Sequence, residues 1–364
     1  MPSLSESSAR PRLRRFSAAV AMAASLLLAG CGSSNSNSNP PKRPAPIGHA
    51  YVVTPNNLLA FQIAASNGGL AAVNVPTGAP GGSAIAADGQ GNHVYSLTPG
   101  GQIFGYTINR SDGSLANVAG SPWGGAGVGV AFLAVNSAGT DLYVPAVQDL
   151  VVVPYTIDST GALTIGLQQA TPAAPVTATI DPPAHFLYVP MGSAGTQLFQ
   201  IVGGALVSQM TIPPMGQGKA LYVAINPADT FAYISDLVTG VAAYSINPGT
   251  GDLTPLAGSP FMAGPGPSAM AMTPNGKFLY VATTTAVVGF AINADGSLTS
   301  TGSPATFPNP PLAISIDTTG SYLYTLIVNT TSVAIDKIDP NSGILTAQPT
   351  VALPAVPTGI VTTP

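Results

Sequence analysis

Charge is scarce in this sequence. Only 7% of its 364 residues are charged, and glutamate and cysteine occur once each, at Glu6 and Cys31. A chain with one thiol closes no internal disulfide, so the folded part must be held together by burial. The basic residues form no patch, which excludes nucleic acid as a partner. Zinc-ligand spacing is absent, as are a D-x-D-x-D-G calcium loop and a G-x-S-x-G serine elbow. No metal and no other cofactor is expected. Gly124-Gly125-Ala126-Gly127 is glycine-rich, but no helix pattern follows it, and a phosphate cradle needs that helix N-terminus. What is present points to strands. Hydrophobic residues make up 46% of the chain, too many for disorder. Thr, Val, Tyr and Ile are common, Glu and Lys are rare, and 41 Gly and 36 Pro supply turns.

The first 46 residues are of a different kind. Arg10, Arg12, Arg14 and Arg15 precede an apolar run of 13 residues from Phe16 to Leu28. A membrane span takes roughly 20 residues, so the run has the length of a signal-peptide core. It ends in Leu28-Ala29-Gly30-Cys31, which resembles the lipobox of bacterial lipoproteins. Residues 1–30 are therefore expected to be a cleaved signal peptide. Residues 31–46 are expected to be an acylated Cys31 with a flexible Ser/Asn/Pro tether, and residues 47–364 the folded domain. The expected address is the cell envelope, with the lipid at Cys31 as membrane anchor. Gly32 rather than Asp follows the Cys, which favours the outer membrane where the host has one. Beyond residue 30 lie six of the ten basic and 13 of the 14 acidic residues, a net charge of −7.

The remainder is repetitive. A tyrosine within an apolar strand recurs at 51, 95, 143, 188, 233, 280 and 324, with spacings of 44 to 48. A Gly-x-Leu follows each about 20 residues on, ending at Leu70, Leu115, Leu163, Leu206, Leu253, Leu298 and Leu345. Between them lies an aromatic-x-Ile, such as Tyr106/Ile108 and Phe290/Ile292; the seventh copy has Asp336 in the aromatic place. Asp336 is expected to pair locally with Lys337. Each unit resolves into four strands, A to D. Strand A is a small apolar stretch before the tyrosine, B carries the tyrosine, C the aromatic-x-Ile, and D starts at the leucine. Asp112-Gly113 and Asp295-Gly296 suit the positive φ of C–D hairpin turns. Four strands in about 45 residues is a propeller blade, so the fold class is all-β, a seven-bladed β-propeller. The first unit enters at strand B, near Ala50–Val53, and the chain ends in a lone strand A, Thr358–Thr363. The C-terminal strand is expected to complete the first blade and close the ring.

Leu279-Tyr280-Val281 after Pro274-Asn275-Gly276-Lys277, followed by Gly-Phe-Ala-Ile-Asn-Ala-Asp-Gly-Ser-Leu-Thr at 289–299, resembles the seven-bladed β-propeller lactonase family. That family includes bacterial 6-phosphogluconolactonases and a carboxymuconate-cyclising enzyme, and lies close to YVTN-type surface-layer propellers. The resemblance extends over residues 48–364 and implies the fold more than the activity. It also implies His, Arg and Glu side chains in a central cleft. Here Glu is missing, and Arg110 is the folded part's one arginine. His49, His93 and His185 each stand just ahead of strand B. They and Arg110 are expected to be solvent-exposed turn residues on the face of A–B and C–D turns, opposite the usual ligand face.

The ligand face, made of B–C and D–A loops, offers Gln102, Asp149, Gln197 and Asp236 from the first set and Trp123, Met215, Lys219 and Phe261 from the second. Lys219 with Asp236 or Asp149 is a candidate oxyanion stabiliser and base for lactone opening. Trp123, Gln102, Gln197 and Phe261 are candidate ligand contacts, with Trp123 and Phe261 equally suited to packing under the loops. The missing Glu and Arg favour a monomeric, lipid-anchored, non-catalytic scaffold that binds a small ligand or an envelope protein. The alternatives are a lactone hydrolase acting on an uncharged or sugar lactone, and a structural surface protein.

Overall fold

A computed structural model describes residues 45–364 apart from 128, 131, 216 and 217. The expected signal peptide and Cys31 lie outside these residues. Blade 6 shows how one repeat folds. Met270–Met272, Phe278–Ala282, Ala286–Ile292 and Leu298–Ser300 pair in order as antiparallel strands A to D. Every blade, numbered 1 to 7 by its tyrosine, repeats this order, and every element among the described residues is a strand. Each strand A touches the strand A of the next blade, right round the ring, so these strands line its centre. Strand B is sandwiched between neighbouring blades, and its residues are buried on both faces, as in Phe186–Pro190 and Tyr322–Ile327. That explains why strand B reads as an unbroken apolar run while strand D, outermost, is mostly exposed.

The ring closes as expected. Gly359–Thr363 pairs antiparallel with His49–Val53, with Val53 opposite Gly359 and His49 opposite Thr363. His49 Nδ1 lies 3.0 Å from the Pro364 carbonyl, which only accepts, so the ring nitrogen donates.

Two of the sequence markers are halves of one contact. The hydroxyls of Tyr51, Tyr95, Tyr143, Tyr188, Tyr233 and Tyr280 donate to the carbonyls of Gly113, Gly161, Gly204, Gly251, Gly296 and Gly343 in the next blade, at 2.7–3.2 Å. Tyr324 completes the circle on Gly68 of blade 1 at 2.9 Å. Burial raises the pKa of each of these phenols well above its ordinary value, so the donor proton stays in place. Each glycine is the first residue of a Gly-x-Leu, has positive φ, and packs against the residue two before the tyrosine. That slot holds Phe186, Phe231, Phe278 and Tyr322 in four blades, and His49 and His93 in two others. Both histidines are buried, which corrects the expectation that they are exposed: they stand in for packing aromatics. His185 and Arg110 are exposed, as expected.

Asp336 and Lys337 do not pair. Successive residues of a strand point to opposite faces. Asp336 is buried and Lys337 exposed, and the single ion pair among the described residues is His93–Asp88 at 3.4 Å. Burial raises the Asp336 carboxyl above its ordinary pKa.

The A–B turns share a device of their own. Asp88, Asn136, Asp181, Asn226 and Asp317, each just past strand A, accept N–H groups four and five residues ahead. The third residue after each cap has positive φ. It is Gly91, Gly139 and Gly320 in three turns, but Ala184 in blade 4 and Asp229 in blade 5. Asp229 Oδ1 and Asp181 Oδ2 are buried oxygens without hydrogen-bond partners. Burial, and then the charge of Asp181, push the Asp229 carboxyl up to about 6, with His185 opposing. An acid whose folded pKa is raised binds more protons folded than unfolded, so its contribution falls as pH rises from about 4 through 6. Asp229→Asn should therefore stabilise the protein above pH 6, by about 1 kcal/mol after allowance for solvent screening, and have little effect at pH 4. Melting curves of both proteins across that range check this. A difference independent of pH would show that the charge of Asp229 carries no such cost.

Candidate functional site

Strand A carries no charged residue in any blade. The strands that line the centre are joined by hydroxyls instead. Thr177 and Thr179 of blade 4 donate to the Leu221 and Val223 carbonyls of blade 5 at 2.7 and 2.8 Å. Thr358 donates to the Gly82 carbonyl at 2.6 Å, and Thr362 to that of Ile316 at 2.6 Å. The one titratable side chain on these strands is Tyr222, whose pKa burial raises, and charged groups reach the channel only at its two ends. At the A–B end the carboxylates cap turns, and the His93 ring with the N–H groups of Asn92 and His93 outweighs burial in holding Asp88 low. At the B–C/D–A end the candidates are Lys219, Asp236 and Asp149.

Lys219 is exposed at the entry to strand A of blade 5, and its carbonyl accepts the Leu237 N–H at 3.1 Å. Asp236 ends strand B of the same blade, so the pairing of Ala220 with Asp236 brings these two residues to one end of the sheet. Their charges do not meet. The Asp236 carboxylate is buried, lies against Gly218, and accepts the N–H groups of Val238 and Thr239 at 2.9 and 3.0 Å on Oδ1. It shapes the turn. Asp149 is exposed in the B–C turn of blade 3, beside Gly127.

The candidate ligand contacts divide in the same way. Gln197 is buried, with its amide spent on the Leu198 carbonyl, Ser208 and Thr211 at a bulge. Trp123 exchanges two backbone hydrogen bonds with Ile103, and its indole lies over Gly105, where a Cβ would come within 2.7 Å. Phe261 exchanges the same pair with Val241. Both aromatics extend strand D back along strand C, and they pack. Gln102 is exposed at a turn that Thr98 closes. A cavity of about 160 Å³ lies beside Pro76–Pro80, Phe104 and Tyr106. It belongs to blades 1 and 2 and has no acid or base besides Tyr106 in its wall, whereas the loop end of blade 5 carries Lys219 and Asp236. What sequence reading missed there is the turn after Asp236. Leu237 and Val238 stand exposed on it, and Met262, also exposed, follows the Phe261 that pairs with Val241 at the turn's far side.

Residues 222–360 match the family model described as Lactonase, 7-bladed beta-propeller. The lactonase match runs from strand A of blade 5 into the closing strand. A 6-phosphogluconolactonase of Pectobacterium carotovorum is 32% identical over 133 residues, which is 34% of this chain and 40% of that protein. The chain thus spans well under half of the curated relative it matches. Lactonase-type folds cover far more. A candidate 6-phosphogluconolactonase of Bacteroides fragilis superposes with a TM-score of 0.75 at 17% identity, over 90% of this chain and all of the other. The periplasmic gluconolactonase of Pseudomonas aeruginosa gives 0.68 at 15% identity, over 87% and 99%. These relatives are named for lactone hydrolysis. The expectation of a scaffold without catalysis, drawn from the missing Glu and Arg, is corrected by them.

Proposed function

We propose that this chain is a lactone hydrolase, exported and lipid-anchored through Cys31. The match of residues 222–360 to the lactonase family supports the activity most directly. The leader and Cys31 support the address. In the reaction, water adds to the lactone carbonyl, the tetrahedral oxyanion collapses, and the ring C–O bond breaks to give a hydroxy acid. A cation aimed at the developing oxyanion is the largest help a site can give. Lys219 is the residue at the loop end of the channel that can supply it, and Asp149 is the exposed carboxylate on that face.

The test is proton release by the purified full chain on a panel of neutral and phosphorylated lactones. Lys219→Ala should lower kcat/KM about 100-fold where the ammonium meets the oxyanion. An undiminished rate would remove Lys219 from the reaction, and no turnover on any lactone would sink the activity. In cells, incorporation of labelled fatty acid should vanish in Cys31→Ser; incorporation that persists would rule out the anchor.

A further inference from the structure

The described residues contain four Lys or Arg side chains, and three belong to the opposite face. Arg110 donates to the Gln90 carbonyl and, at 2.8 Å, to Asn92 Oδ1 at an A–B turn. Lys277 sits in an A–B turn, and Lys337 near the C–D end of strand C in blade 7. Lys219 is left as the one cation of the loop end among the described residues. A phosphate is held by several charge-assisted hydrogen bonds, and one flexible ammonium does not provide them.

The neighbourhood of Lys219 is apolar instead. Leu237, Val238 and Met262 are 42%, 61% and 81% exposed. Backbone contacts link them to Lys219. The Leu237 N–H binds the Lys219 carbonyl, and a Cβ on Gly240 would lie 3.5 Å from Met262 Cα. The turn is held out rigidly, because Asp236 Oδ1 accepts its N–H groups. The equivalent turns of blades 1, 2 and 6, at 54–57, 98–102 and 283–285, contain only Thr, Pro, Asn, Gly and Gln. Blade 4 adds a buried Met191, blade 7 a half-buried Val328, and blade 3 a single large exposed apolar residue, Leu150, so two adjacent exposed ones occur only in blade 5. An apolar turn fixed in water beside the site's cation needs something to cover it.

Resting on the lactone hydrolase reading, we infer that the substrate is an uncharged lactone bearing an apolar chain. The chain lies on Leu237, Val238 and Met262, and the ring carbonyl faces the Lys219 ammonium. Water's oxygen bonds to the carbonyl carbon, and the displaced C=O pair sits on the oxygen beside Lys219. That pair returns as the acyl–ring oxygen bond breaks, and the water proton ends on the ring oxygen.

The test compares γ-lactones with side chains from methyl to octyl against glucono-δ-lactone and its 6-phosphate, using the full chain. kcat/KM should rise about twofold to fourfold per methylene, since burying each is worth about that in affinity. Val238→Asp and Met262→Asp should flatten the slope. Leu167→Asp, an exposed site on the outside of blade 3, should leave it intact. Turnover with no dependence on chain length, or a preference for the phosphorylated sugar, would overturn this inference and leave the lactonase standing. Ligand-observed NMR with the non-hydrolysable octyl lactam reads the site without turnover. Binding to the native chain that Val238→Asp abolishes supports the inference, and no binding to the native chain refutes it. Chain-independent lactam binding, with association to phosphatidylglycerol vesicles that Val238→Asp abolishes, would also refute it and make the patch a lipid contact.

Discussion

Deletion of residues 356–364 should leave a chain without a cooperative melt near room temperature. The strand that would be removed pairs with His49–Val53 along its whole length. It also seals both flanks of blade 1. Thr358 binds the Gly82 carbonyl of blade 2, and Thr362 binds the Ile316 carbonyl and lies 3.1 Å from Ser315 of blade 7. A ladder of about five net hydrogen bonds is worth about 5 kcal/mol. Burial of Ile360 adds about 2. Domains are stable by only about 5–15 kcal/mol in total, so the truncated ring has little left. Circular dichroism melts measure this, and a transition within a few degrees of the full chain would show that another contact closes the ring. A synthetic peptide of residues 356–364 should restore part of the transition in proportion to its concentration, since a ligand that binds only the folded state stabilises it by mass action.

The architecture was legible because a propeller writes itself seven times. Tyrosine, aromatic-x-Ile and Gly-x-Leu kept phase, and all four strands of every blade fall where those markers put them. The link between the markers was not legible. Tyr188 and Gly251 are 63 residues apart and in different blades, and a pattern in one dimension shows their recurrence but not their contact. The histidines were misjudged although a signal was present. His49 and His93 each stand two residues before the tyrosine, where three other repeats have Phe. Their polar character suggested a turn; the position says aromatic slot. Asp236 was legible as a loop-end acid, but its capping of Val238 and Thr239 depends on turn geometry that residue type does not reveal. Leu237 and Val238 were passed over because apolar residues after an apolar strand read as more of the strand. Only solvent exposure marks them as unusual.

Gly251→Ala should cost the protein about 3 kcal/mol. Gly251 has φ of 74°, where an alanine costs about 1–2 kcal/mol. Its new Cβ would come within 2.7 Å of the Phe186 ring, which is buried in the core shared by blades 4 and 5. A ring so enclosed cannot turn aside, and overpacking of this kind costs about 1–3 kcal/mol. Reduced freedom of the unfolded chain returns about 0.5 kcal/mol. For a domain of this size the midpoint should fall by about 5 °C. Tyr188→Phe attacks the same junction from the other side. It removes the 2.7 Å bond to the Gly251 carbonyl and leaves that carbonyl buried, at about 1–2 kcal/mol. If the two residues form one clasp, the double variant should lose less than the sum of the two, because a turn already displaced by the methyl has no well-placed carbonyl left to lose. Full additivity would mean that the glycine and the tyrosine stabilise their blades separately, and that the phase between the two markers has another cause.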